Sequence, residues 1–86
     1  MSGRYLARCF ISLKPTVNDP AGITIRGALT SLGFATDSVR SGKYFQVVVQ
    51  AASSDDAREQ AERMCARLLA NPVIETYSVE VEPAED

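Results

Sequence analysis

The chain reads as an α+β protein of ferredoxin-like β-α-β-β-α-β order, with a four-stranded antiparallel sheet carrying two helices on one face. Two observations predict it. Three stretches, Tyr5–Leu13, Tyr44–Ala51 and roughly Ile74–Val81, alternate at period two as half-buried strands do. Between them lie two segments with helix-capping residues and apolar side chains at helical spacing.

Tyr5, Ala7, Cys9, Ile11 and Leu13 share one face of the first strand, and Leu6, Arg8, Phe10 and Ser12 share the other. Leu6 and Phe10 make that second face more apolar than a solvated surface needs, which hints at a second packing surface. Lys14-Pro15 ends the strand because proline has no N–H for the ladder. Asp19-Pro20 predicts a helix start, with Asp as N-cap and Pro where its missing N–H costs nothing. Ile25, Leu29 and Leu32 follow at helical spacing, and Gly33 supplies the left-handed stop. Thr36–Arg40 and Tyr44–Ala51 are then two expected strands joined by a Ser41-Gly42 hairpin turn. In the latter, Phe45, Val47, Val49 and Ala51 face the core, with Tyr44, Gln46, Val48 and Gln50 opposite. Ser53-Ser54-Asp55-Asp56 opens the second helix, its acids at the positive end of the dipole. The apolar stripe of that helix is Ala57, Ala61, Met64, Cys65 and Leu68, and Asn71-Pro72 terminates it. Tyr77, Val79 and Val81 share one face of the last strand.

With 86 residues, 45% of them hydrophobic and 23% charged, the chain has room for one core, and residues 1–86 are expected to form a single domain. All nine basic side chains precede residue 68, whereas Glu75, Glu80, Glu82, Glu85 and Asp86 leave the end acidic, with residues 83–86 as a short tail. That distribution argues against nucleic acid as a partner, which would need clustered Lys and Arg. No stretch is apolar and long enough to span a bilayer, and no basic-then-apolar leader opens the chain. The expected location is therefore cytoplasmic, with no membrane partner.

The sequence contains no histidine, which removes triads, imidazole bases and His-ligated metals. It has neither a P-loop nor a Gly-x-Gly-x-x-Gly segment. Cys9 and Cys65 fall at core positions without metal-ligand spacing, and no base stands ready to activate either thiol. No catalytic residue, metal ligand or bound cofactor is expected in this chain. Other tenants of the fold fit poorly. An RNA-recognition module needs stacking aromatics on a basic sheet face. An acylphosphatase-like enzyme needs an arginine-bearing glycine loop where this chain has Lys14-Pro15-Thr16-Val17-Asn18. A stand-alone ACT-like domain that senses a small molecule is the alternative to a protein-binding subunit.

Three stretches separate these readings: Leu13 to Gly22, Val39 to Tyr44, and Cys65 to Glu75. They carry Lys14-Pro15 with Asp19-Pro20-Ala21-Gly22, then Arg40-Ser41-Gly42-Lys43, then Leu68-Leu69-Ala70-Asn71-Pro72-Val73-Ile74-Glu75. With Leu32-Gly33-Phe34 they resemble the PurS family, the small subunits of phosphoribosylformylglycinamidine synthase, over residues 4–82. The resemblance implies a PurS-like fold and a place in a ligase of de novo purine (IMP) synthesis that uses ATP and glutamine. In that complex a PurQ glutaminase subunit releases ammonia and a PurL synthetase subunit consumes it, with ATP and Mg bound by the synthetase. The small subunit, by resemblance, supplies no catalytic group, bridges the two, assists ammonia transfer and self-associates to a dimer or tetramer.

Turns project the charges Lys14, Arg40, Lys43 and Glu75 outward, which makes them the expected partner-interface residues. Lys14 and Lys43 are expected on different rims of the sheet, a geometry suited to bridging. Leu6, Phe10, Tyr44 and Val48, on strand faces away from the helices, are the expected oligomer interface.

Overall fold

Period-two alternation carries Gly3–Leu13 into an 11-residue strand, β1, in a computed structural model that describes residues 3–84. Helix α1 spans Pro20–Ser31, strand β2 Gly42–Ala51, helix α2 Ser54–Met64 and strand β3 Glu75–Pro83. The sheet order is β2-β1-β3, with both outer strands antiparallel to β1. Cys9 lies between Phe45 and Val79, and Ala7 between Val47 and Val81, so the expected faces are kept.

The caps work as their residues dictate. Ser53 accepts from the Asp56 N–H at 3.1 Å while Asp56 accepts from the Ala52 N–H at 2.9 Å, which satisfies donors at the start of α2. Asp19 accepts from the Gly22 N–H at 3.0 Å to open α1. Gly33, at φ +98°, closes α1, and the Phe34 N–H returns to the Leu29 carbonyl at 3.0 Å.

The core lies between α2 and the sheet. Ala61 and Cys65 meet Ala7, Cys9 and Val79, with Phe45, Leu69 and Val81 packed against them. Small residues on both surfaces let the helix approach closely. After Met64 the helix widens into a π-helical turn, Cys65–Leu69, closed by the Ala70 N–H on the Cys65 carbonyl at 2.9 Å. Its i to i+5 bond advances the inward stripe by one residue. Leu69 therefore packs inward, and the expected Leu68 is 83% exposed.

Two expectations are corrected. Three strands, not four, form among the described residues, and Thr36–Arg40 makes no ladder. Its two ends are tied elsewhere: the Thr36 carbonyl accepts from Arg26 Nε, and Arg40 with the following Ser41 bonds Lys14, Val17 and Asp19. Gly42 is the first residue of β2 instead of a hairpin turn. A Cβ there would lie 2.5 Å from the Ile11 carbonyl oxygen, so the close crossing of β1 and β2 needs glycine.

The second correction concerns the helices. Only α2 covers the sheet. Helix α1 extends away from it, and the Cα radius of gyration is 16.4 Å, against about 12 Å for a compact chain of this length. At the other end, Pro83 pairs with Tyr5, and the Ala84 N–H donates to the Arg4 carbonyl at 2.9 Å. Glu85 and Asp86 lie outside the described residues.

Candidate functional site: a junction at one end of the sheet

All three motif stretches meet at the end of the sheet where β1 finishes and β2 and β3 begin. The Lys14 N–H extends the ladder to the Ile74 carbonyl at 2.8 Å. Its own carbonyl then accepts from Val17 N–H in a turn at 2.9 Å. The Arg40 guanidinium donates to both the Lys14 and Val17 carbonyls, each at 2.9 Å, and so fastens that turn.

Asp19 is the centre of the junction. It is 3% exposed and accepts from the Ser41 N–H at 2.6 Å and the Ser41 hydroxyl at 2.9 Å, besides capping Gly22. The Ser41 and Gly22 amides hold its carboxyl below the usual carboxylate range, with Arg40's charge adding to them. Gly22 is required by this closeness, because a Cβ would lie 2.3 Å from the Val39 carbonyl oxygen.

A second set of bonds ties β2 to β3. Lys43 Nζ donates to the Leu69 carbonyl at 3.2 Å and to Glu75 Oε1 at 3.3 Å. Glu75 also accepts from the Asn71 N–H at 2.7 Å, and that amide, followed by Lys43, holds its carboxyl below the ordinary range. Asn71 in turn accepts from the Val73 N–H at 3.1 Å, an Asx turn that reverses the chain before β3.

Arg40, Lys43 and Glu75 are thus brought together, with their polar groups turned onto the chain itself. The Lys14 ammonium makes no hydrogen bond or ion pair among the described residues. Lys14 and Lys43 stand at the same end of the sheet, since Ser12 pairs with Gly42, and the expectation of different rims is corrected. Asp19 and Ser41 were read only as a cap and a turn residue. Nothing local in the sequence pairs side chains 22 residues apart.

The structure places Leu6, Phe10, Tyr44 and Val48 together on the sheet face away from α2. Leu6 pairs with Val48 and Phe10 with Tyr44, whose rings stack with centroids 5.0 Å apart. Arg8 lies between these pairs and is bonded to Glu82. A larger apolar surface escaped the sequence reading: Leu32 is 73% exposed and Phe34 58%, with Ile23 and Ile25 also exposed on α1. Helical spacing identified Ile25 and Leu32 but could not say that the chain's own sheet would leave them bare. Burial pushes the Cys65 thiol up to about 12, helped by Cys9, so it is no thiolate at neutral pH.

Residues 6–83 match the family model described as PurS, phosphoribosylformylglycinamidine (FGAM) synthase. The phosphoribosylformylglycinamidine synthase subunit PurS of Synechocystis is 40% identical over 86 residues, which is 99% of this chain and 86% of that protein. The structure of Thermus thermophilus PurS superposes with a TM-score of 0.88 at 40% identity, covering 95% of this chain and 99% of that one. A chain in the structure of PurLQS from Thermotoga maritima superposes with a TM-score of 0.81 at 30% identity, covering 91% of this chain and 98% of that one.

Proposed function

The chain belongs to the PurS family of phosphoribosylformylglycinamidine synthase subunits, and from that premise we propose that it is the non-catalytic adaptor joining the glutaminase and synthetase subunits. It assists the transfer of ammonia from a PurQ glutaminase to a PurL synthetase. The observation that carries this reading is α1, an apolar helix the chain does not bury itself, in a fold shared with a chain of the Thermotoga PurLQS structure. ATP and Mg are used by the synthetase, and nucleotide binding belongs there and not to this subunit. The work is cytoplasmic, in keeping with a biosynthetic enzyme subunit in which no described helix is long and apolar enough to cross a membrane.

Lys14 is the partner-facing charge of the junction. Arg40, Lys43 and Glu75 act beside it by holding the junction's shape, since their bonds set where Lys14 and α1 stand. The chain also self-associates, to a dimer or tetramer, with Leu6, Phe10, Tyr44 and Val48 as contacts.

Reconstitution with the PurL and PurQ subunits tests the adaptor role. Lys14→Ala should lower glutamine-dependent synthesis more than synthesis driven by free ammonia, because only the former needs the glutaminase docked. Omitting the chain altogether should lower that ratio further. An unchanged ratio without the chain would end the adaptor reading.

A further inference from the structure

Six of the nine basic side chains are engaged by the chain itself. Arg8 bonds Glu82, Arg26 the Thr36 carbonyl, Arg40 the Lys14 and Val17 carbonyls, Lys43 Glu75 and Arg58 the Val79 carbonyl, and Arg4 is also partnered. Besides Lys14, two make no hydrogen bond or ion pair among the described residues: Arg63 near the end of α2, and Arg67 in the π-helical turn that follows. Glu59 stands one turn before Arg63 and is not paired with it. Arg63 and Arg67 line one open hollow of about 250 Å³ together with Gln60 and Met64.

The π-helical turn adds an apolar side chain to this ledge. Because it seats Leu69 inward, Leu68, four residues after Met64, is left pointing to solvent. A regular helix would carry Leu68 into the stripe of Ala57, Ala61 and Cys65. Turns of this kind are uncommon and gather at functional sites. The negative end of the helix dipole favours cations near the last turn, which accounts for basic residues there. It gives no reason to bare a leucine beside them.

We propose that this ledge on the flank of α2 docks an acidic segment of another subunit of the synthase. The inference rests on the adaptor reading and names a surface through which the adaptor holds a partner. Arg63 and Arg67 each offer a planar fork of donors to a carboxylate. Four residues of helix rise about 6 Å. Two residues of extended chain cover about 6.6 Å, so the segment that fits is extended, with acids two positions apart. A flanking apolar side chain of the same segment covers Leu68.

The ledge adjoins the junction, since the Leu69 carbonyl that ends the π-helical turn accepts from Lys43 at 3.2 Å. It is separate from Leu6, Phe10, Tyr44 and Val48, which lie on the sheet face away from α2. Docking at the ledge and self-association can therefore be read apart.

The test uses the full chain with purified PurL and PurQ subunits. Arg63→Glu/Arg67→Glu should weaken binding by about 10-fold or more, while its sedimentation mass and melting temperature match the wild type. Arg63→Lys/Arg67→Lys should lose less, because the charge is kept and only the fork is gone. Cys9 and Cys65 are buried, so Leu68→Cys offers one exposed thiol for a benzophenone maleimide. Irradiated in the complex, that label should cross-link to a PurL or PurQ peptide with acids two positions apart. A wild type that binds neither subunit would overturn the adaptor reading and this inference together. Unchanged binding by folded Arg63→Glu/Arg67→Glu would overturn the inference alone. So would an assembled complex in which the label reaches no partner subunit, only a second copy of this chain, or a segment without acids. Should the charge-reversed chain fail to fold, the cross-link from Leu68→Cys still decides.

Discussion

The two helices of this chain have similar lengths and opposite fates. Helix α2 buries Ala57 and Ala61 against the sheet and passes into a π-helical turn that seats Leu69. Helix α1 carries the larger apolar side chains, yet Leu32, Ile23 and Ile25 stay exposed and only its foot is fixed. Helix α2 therefore meets the sheet through small residues, while the larger apolar side chains of α1 stay bare. Apolar content alone does not tell a core helix from a docking helix; what distinguishes them is where the flanking polar residues pin the helix.

The largest expected effect comes from breaking the docked helix. Ala61→Asp would bury an unpaired carboxyl where exposure is 0%, costing several kcal/mol, on the order of 3 or more, and unfolding the chain in urea melts. Folded, cooperative Ala61→Asp protein would mean that α2 is not the core helix.

Gly22→Ala attacks the foot of α1 instead. Its Cβ would meet the Val39 carbonyl, at a cost of about 1–3 kcal/mol for the forced shift. Exchange of α1 amides should speed up while those of α2 stay protected. Equal loosening of both helices would show that the two are more tightly coupled than their packing implies.

Acid sharpens the same contrast. Asp19 has a depressed folded-state pKa, so the unfolded chain binds more protons in acid. Its contribution is present above the ordinary carboxylate value of about 3.9 and is lost as pH falls through the lower folded value. Glu75 acts in the same direction. Melting temperature followed from pH 6 down to about 2 should fall less steeply in Asp19→Asn than in the wild type. A parallel curve would leave Asp19 without a role in acid stability.

The smallest effect belongs to the bare stripe. Leu32→Ser should change the stability of the dilute, dissociated chain by within about 0.5 kcal/mol. The same change should weaken association measured by sedimentation. A large stability loss in the dissociated chain would mean that α1 packs on its own sheet.

Much of this was legible in advance. Alternation in Tyr5–Leu13 and Tyr44–Ala51 located β1 and β2 and sorted their faces, because side-chain direction follows from period two alone. Asp19-Pro20, Gly33 and Ser53 set helix ends, because a cap satisfies backbone groups within a few residues of itself. The motif stretches were legible as a family resemblance, and the convergence of their residues was not.

Local sequence thus determined the two helices, three of the four expected strands and the absence of any histidine chemistry. Tertiary structure alone decided that Thr36–Arg40 would not pair, that α1 would leave the sheet, and that Asp19 would meet Ser41. The reason is physical. Caps and periodicity are satisfied within one or two turns of chain, whereas a buried carboxylate must find its donors wherever the fold brings them. Here they lie 22 residues away, and by drawing Ser41 to Asp19 they turn an expected hairpin into a clamp.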